Sequence, residues 1–206
     1  MGVKGLSSYL STEPTRFGRQ RIITKGDDVQ IYIDMPALHH HFIDCFQKRA
    51  SPPPSFNMRE LDMPTTGICS PCTVFKLTLA FFRHLLKTIS AESKIYCVFD
   101  GMASDTKQKQ QIERMTVNCT VFDEAARLFV NGEERGKRFH VPHLFGEEAM
   151  CEALETLSLE DVNQDRISIH FADFEAETYI SDMMGAKDSL ILSNDSDFLV
   201  YPKIQS

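Results

Sequence analysis

Apolar residues recur along the chain with two different spacings, and each spacing predicts a different kind of element. Four short runs rich in β-branched and aromatic residues, each bounded by polar or turn residues, predict buried strands. These runs are Val29 to Ile33, Lys94 to Phe99, Ile167 to Phe171 and Ser189 to Leu192. Between the runs, apolar residues spaced three to four positions apart predict helices.

The helical spacing is clearest in one segment, Thr73 to Ile89. Its predicted apolar stripe consists of Val74, Leu77, Phe81, Leu85 and Ile89. Weaker patterns predict helices over Ala37 to Lys48, Glu147 to Leu157 and Glu175 to Met184. Strands that alternate with helices favour a parallel sheet covered on both faces. The predicted fold class is therefore α/β.

Two stretches between these elements have no clear periodicity. Ser51 opens a proline-rich, polar stretch to about Pro71, which predicts a loop. Gly101 to Pro142 mixes basic and acidic residues and is predicted to be helical in part. The chain has 206 residues, of which 42% are hydrophobic. A chain of this size and composition can bury a substantial core as one globular domain.

Composition limits the classes of function. No apolar stretch approaches the roughly eighteen residues that a membrane span needs, so we expect a soluble, intracellular protein without membrane contact. Six cysteines are spread through the chain and two fall inside apolar segments, which favours reduced thiols. Cys69-Ser70-Pro71-Cys72 has zinc-ligand spacing, but no second pair follows to complete a tetrahedral site. A net charge of -7 argues against a broad nucleic-acid surface, because binding a polyanion is favoured by positive charge. Any such site must depend on the local placement of charges.

Acidic residues follow three of the predicted strands. Asp34 follows the first, Asp100 the second, and Asp195 and Asp197 the last. The carboxyl ends of parallel strands share one edge of a sheet, so these side chains should converge. Asp195 and Asp197 lie two residues apart, and an extended backbone would direct both to the same side. A single acid in such a position is ordinary, because strand ends meet solvent.

Glu175 and Glu177 follow the strand that ends at Phe171. Residues two apart in a helix diverge by about 200°, so these two can converge only at a strand-to-helix junction. Six crowded carboxylates would repel each other unless cations neutralise them. Oxygen ligands select hard ions, and a pair of Mg²⁺ or Mn²⁺ ions roughly 4 Å apart suits phosphodiester hydrolysis. The acids together predict a two-ion metal site with nuclease chemistry.

Five short motifs, spread in order over nearly the whole chain, resemble those of the XPG/flap endonuclease family. They are Met1-Gly2-Val3-Lys4-Gly5-Leu6, Ile31-Tyr32-Ile33-Asp34, Val98-Phe99-Asp100-Gly101, Glu175-Ala176-Glu177 and Ser193-Asn194-Asp195-Ser196-Asp197. The last motif, continued by Phe198-Leu199, is similar to the Asteroid branch. The resemblance implies a PIN-like twisted parallel sheet with helices on both faces and an acidic active site at the C-terminal edge of the strands. It implies one structural domain with an N-terminal region (1–100), a variable arch region (101–145) and an internal region (146–206).

The resemblance also implies roles for individual residues. The metal ligands would be Asp34, Asp100, Glu175, Glu177, Asp195 and Asp197. Lys107 and Arg114, seven and fourteen residues after Asp100, would contact the scissile phosphate and its developing charge. Gly2 and His40 would contact the nucleic acid, His40 at a position where relatives stack an aromatic ring on a base.

The function implied is that of a Mg²⁺-dependent, structure-specific DNA endonuclease acting on flapped, branched or single-stranded DNA in nuclear repair or replication. Ser206 precedes the family's last metal-binding aspartate and its helix-turn-helix, so efficient cleavage would need further residues or a partner. One alternative is a non-catalytic scaffold of the same fold in signalling or RNA regulation. A Rossmann-like nucleotide-binding module is disfavoured, because Met35-Pro36-Ala37 stands where a glycine-rich loop would follow the first strand.

Overall fold

The computed structural model describes residues 28–48, 70–102, 105–131, 145–160, 163, 165–184, 189–193 and 198. The described part contains four strands and five helices. In chain order they are β1 (Gln30–Asp34), α1 (Met35–Lys48), α2 (Pro71–Thr88), β2 (Lys94–Phe99), α3 (Asp105–Val130), α4 (Gly146–Ser158), β3 (Ile167–Phe171), α5 (Ala176–Met183) and β4 (Ser189–Leu192).

The four strands form one parallel sheet in the order β3-β2-β1-β4. The central strand β1 pairs with both β2 and β4, so that Ile33 lies beside Cys97 on one side and Leu192 on the other. Near-continuous apolar runs are typical of parallel strands buried on both faces. The predicted α/β class with a parallel sheet is confirmed.

The two faces of the sheet bury different side chains, because successive residues of a strand point to opposite sides. Ile31 and Ile33 belong to the larger core, which packs against α1, α2 and α4. Tyr32 and Val98 belong to a smaller core on the other face, where α5 contributes Ile180. Helices therefore cover both faces, as predicted.

The residues around the start of α2 explain why the helix begins there. Ser70 is the N-cap, and its hydroxyl oxygen accepts a hydrogen bond from the Thr73 amide at 3.2 Å. Pro71 occupies the first turn, where its missing N–H leaves no intrahelical bond unmade. The helix therefore begins at Pro71, where the predicted loop was expected to end, and residues 51–69 of that predicted loop lie outside the described residues.

The buried stripe of α2 differs from the prediction in its second half. Phe82 and Leu86 are buried, whereas the predicted Phe81 and Leu85 are only partly buried at the margin of the core. The sequence has adjacent apolar pairs at both positions, and neighbours on a helix lie about 100° apart, so the spacing alone left two stripes to choose from. Phe81 instead packs edge-on against Phe42 of α1, with ring centroids 5.8 Å apart.

The stretch from Gly101 to Pro142, predicted to be helical in part, contains the longest helix of the described chain, α3, with 26 residues. Its Ile112 and Met115 side chains are exposed. No helix in the described residues is both long and apolar enough to cross a lipid bilayer.

Candidate metal centre

Asp34 is the last residue of β1, and only 3% of it is exposed. Its Oδ1 atom accepts a hydrogen bond from the Ala37 amide at 3.0 Å, in the first turn of α1. Its Oδ2 atom accepts one from the Ser193 hydroxyl at 2.7 Å, just beyond β4. The strand order reverses between β1 and β4, and open α/β sheets bind ligands outside the carboxyl ends of the strands at such a reversal.

Asp100 follows β2 and is fixed to the segment that follows β3. Its Oδ1 atom accepts a hydrogen bond from the Ala176 amide at 2.8 Å. The next residue, Gly101, donates its amide to the Phe174 carbonyl at 2.7 Å. A Cβ atom at Gly101 would lie only 1.8 Å from the Ala172 carbonyl oxygen, so only glycine allows this close approach. The two loops are therefore held together at one edge of the sheet.

Glu175 and Glu177 lie at the junction between β3 and α5. Glu175 is the N-cap of α5 with extended backbone angles (φ -99°, ψ 139°), and Glu177 is in the first helical turn. This is the one kind of position at which two acids so spaced can face a common point. The Glu175 carboxylate accepts a hydrogen bond from the Lys107 ammonium of α3. Because both side chains are exposed, this ion pair contributes little to stability.

A further acid, Glu147, lies near this edge and was missed by the sequence analysis. It is the second residue of α4, whose first residue, Gly146, packs on the buried His39 ring of α1. A Cβ atom at Gly146 would lie 2.1 Å from the Nε2 atom of His39. Acids are common at helix N-termini, so Glu147 looked ordinary in the sequence. The only signal was the glycine that lets α4 begin so close to the strand ends.

The pKa values of three acids at this edge are raised by burial and by each other's charge. The pKa of Glu177 rises to about 7, first because of desolvation and then because of the charges of Asp34, Asp100 and Glu175. Desolvation, followed by the charges of Asp100, Glu148 and Asp34, raises the pKa of Glu147. Desolvation also raises the pKa of Asp100, although the Ala176 amide opposes this. The acids from β1, β2, α4 and the start of α5 therefore share one electrostatic field.

The chemistry of this donor set fits a hard divalent cation. Carboxylate oxygens are the preferred ligands of Mg²⁺ and Mn²⁺, and a bound cation would relieve the repulsion that raises these pKa values. Within the described residues, no three His, Cys, Asp or Glu side chains are already gathered as a metal-binding group. Asp34 and Asp100 are oriented by hydrogen bonds, and Glu175 is turned toward Lys107.

The remaining predicted site residues are distributed as follows. Lys107 lies on α3 at the acidic edge, and Arg114 lies on the same helix, with its side chain outside the described part. His40 is exposed on α1, with its ring centroid 6.2 Å from that of His39. Gly2, Asp195 and Asp197 lie outside the described residues.

Comparison with known proteins assigns no family: no family model matches the chain, and no curated protein matches it significantly. The fold and the acidic edge therefore define this chain as an α/β protein with a candidate metal centre.

We predict that Gly101→Ala destabilises the fold by about 1–3 kcal/mol, because the added methyl group meets backbone atoms that cannot move independently. Urea denaturation measures the change. Met102→Ala is the matched control, since Met102 is 76% exposed one residue away, and it should unfold within about 0.5 kcal/mol of wild type. Equal stability of both variants would contradict the described contact between the two loops.

We predict that the metal-free chain loses stability as the pH rises from about 4.5 to about 7. Glu177 has an ordinary pKa of 4.5 when unfolded and about 7 when folded. In this range the folded chain therefore binds more protons than the unfolded chain, and stability must fall with rising pH. Thermal unfolding at pH 5, 6, 7 and 8 in EDTA measures the effect.

Glu177→Gln should flatten this pH dependence and raise the melting temperature at pH 8, because it removes the charge that the fold disfavours. Glu152→Gln, at an exposed position of α4, should keep the wild-type profile. A wild-type chain whose stability is constant or rises over this range would contradict the raised pKa of Glu177.

Proposed function

We propose that this chain is the catalytic core of a Mg²⁺- or Mn²⁺-dependent DNA endonuclease. The proposal is carried by one observation: acids from four separate elements lie together at the carboxyl edge of a parallel sheet, where desolvation first and the charges of neighbouring acids second raise the pKa of Glu177 to about 7 and raise that of Glu147. Keeping such repulsion in a folded protein costs stability, and cation binding is the simplest function that offsets it. The sequence resemblance to XPG-type nucleases points to the same chemistry.

Asp34 and Asp100 would form the fixed part of the metal site. Their carboxylates are oriented by the Ser193 hydroxyl and by the Ala176 amide, respectively. Such hydrogen bonds hold ligand carboxylates in place and limit the reorganisation needed when a cation binds. Divalent ions held there would supply charge neutralisation and Lewis-acid activation for phosphodiester hydrolysis. Asp195 and Asp197 are proposed to complete the set, as the resemblance implies.

Glu147 and Glu177, whose pKa values are raised, would be further ligands of the metal site. The pKa of Glu177 is about 7, so this side chain carries a proton part of the time at neutral pH in the absence of a cation. A cation must displace that proton, so metal affinity should rise with pH.

Lys107 would hold the scissile phosphate. The ion pair with Glu175 holds the Lys107 ammonium group at the acidic edge, beside the carboxylates that would hold the metal. With the charge of Glu175 compensated, Lys107 would be able to donate to phosphate oxygens. Arg114 is seven residues further along α3, which is close to two helical turns, so both basic residues lie on the same face of the helix.

The proposed substrate is flapped, branched or single-stranded DNA, in a nuclear role in repair or replication. With a net charge of -7, the body of the chain opposes a long duplex footprint, so binding should be weak and sensitive to salt. A substrate that contacts the protein through only a few phosphates beside the proposed metal centre is more compatible with this negative net charge. His40, exposed on α1, is proposed to stack on a base near the cut.

The direct test is cleavage of a fluorescent flap substrate at low salt, with Mg²⁺ and with EDTA. Asp100→Asn keeps the acceptor for the Ala176 amide but removes the charge, so the Mg²⁺-dependent rate should fall at least about 100-fold while the fold is kept. Glu152→Gln should cleave at the wild-type rate. A chain that folds and binds Mg²⁺ but leaves every DNA substrate intact would instead fit a non-catalytic scaffold.

A further inference from the structure

A groove of about 370 Å³ lies between α4 and the carboxyl ends of β2 and β3. Its floor is aromatic and is formed by Phe99 and Phe171, and its wall is acidic and includes Glu148, Glu152 and Glu155 of α4. The lining also includes Asp100 and Glu147 of the candidate metal centre, whereas Cys151, Glu152 and Glu155 lie one to two turns further along α4.

The floor exposes apolar surface to solvent. Phe99 and Phe171 are register partners on neighbouring strands and stack with ring centroids 5.3 Å apart. Phe99 is buried, whereas Phe171 is 62% exposed. The stack therefore begins in the core and ends as an open aromatic surface beside α4. Phe174, three residues further along the chain, is also 58% exposed.

The wall carries three exposed carboxylates in a row. Glu148, Glu152 and Glu155 are spaced four and three residues apart, which places them on one face of α4, where like charges repel. In the described part of the chain, no lysine or arginine forms an ion pair with any of them. Arg83 by contrast pairs at 2.8 Å with Glu160, beyond the end of the same helix. The row is thus a negative surface next to an aromatic one.

The third feature of this groove is the strand β3, whose last residue is Phe171 of the floor. Among the described strands, β3 pairs only with β2, so it is an edge strand and its outer backbone groups face away from the sheet. An edge of this kind can pair with an extended segment of another chain.

We propose that this groove docks an extended lysine- or arginine-rich segment of a partner protein. The alkyl stem and charged head of such a side chain match a floor of phenyl rings and a wall of carboxylates, through apolar contact, cation–π attraction and charge-assisted hydrogen bonds. The backbone of the segment would pair with the outer side of β3. A bare metal ion would gain nothing from the aromatic floor, and a polyamine would lack backbone groups for the strand. The proposal does not depend on nuclease activity.

Binding is tested by fluorescence anisotropy with the full chain in EDTA and 150 mM salt. The probe is a labelled eight-residue peptide in which arginine alternates with valine, and the comparison ligands are the same peptide with glutamate for arginine, and spermine as a competitor. We expect saturable binding of the arginine peptide only, with spermine competing at least about tenfold more weakly than unlabelled peptide. Equal competition by spermine would replace the peptide assignment with a polyamine.

Charge reversal separates the groove from general attraction to an acidic protein. Glu152→Lys combined with Glu155→Lys should weaken binding at least about tenfold, because two of the three wall charges are reversed. Glu113→Lys combined with Glu124→Lys changes the net charge equally on exposed positions of α3 and should change binding less than about twofold. Equal weakening by both pairs would overturn the proposal.

Phe171→Ser removes the exposed ring of the aromatic floor without removing charge and should also weaken binding at least about fivefold. Circular dichroism verifies that each variant is folded. If light scattering instead shows a wild-type dimer that Phe171→Ser disrupts, the groove is an interface between two copies and the proposal is wrong. Because the assay runs without metal, its failure leaves the Mg²⁺-dependent cleavage test unaffected.

Discussion

Mutual repulsion among carboxylates at one edge of the sheet is the constraint on which the rest of this structure depends. Parallel strands bring their carboxyl ends together, and here those ends and the adjoining helix starts carry acids from β1, β2, α4 and the start of α5. Desolvation at this edge, together with the charges of the neighbouring acids, raises the pKa values of Glu147 and Glu177. A fold that concentrates charge in this way is less stable at neutral pH than one that spreads it, unless a cation is bound.

Close backbone contacts and hydrogen bonds surround the acids. Gly101 allows the loop after β2 to lie against the loop after β3, and Gly146 allows α4 to begin against the His39 ring. Hydrogen bonds from Ser193 and Ala176 then orient Asp34 and Asp100. Each of these contacts holds acids near each other that would otherwise move apart. These contacts orient the carboxylates of the candidate metal centre independently of any bound cation, which is the kind of preorganisation that the proposed site would need.

Much of the fold could be predicted from the sequence, because the strand runs and the helix spacing express burial directly. The prediction of which α2 side chains are buried was wrong in part. Phe81 and Phe82 are both apolar, and only the tertiary contacts decide which of them enters the core. At the site, the acids that follow strands were predictable because sheet topology brings strand ends together. The position of Glu147 at this edge could not be predicted. It depends on how closely α4 packs on α1, and the local sequence pattern does not contain that information. Asp195, Asp197 and Gly2 stay predictions.

The central claim is that the acidic edge binds a divalent cation in exchange for a proton. Isothermal titration calorimetry of Mn²⁺ into the chain at pH 7, in two buffers with different ionisation enthalpies, tests this most directly. The account predicts saturable binding with release of on the order of half a proton per chain, because Glu177 has a pKa of about 7. The release should decrease at pH 8.5 and in Glu177→Gln. Absence of binding at millimolar Mn²⁺, or binding with the same heat in both buffers at pH 7, would contradict it.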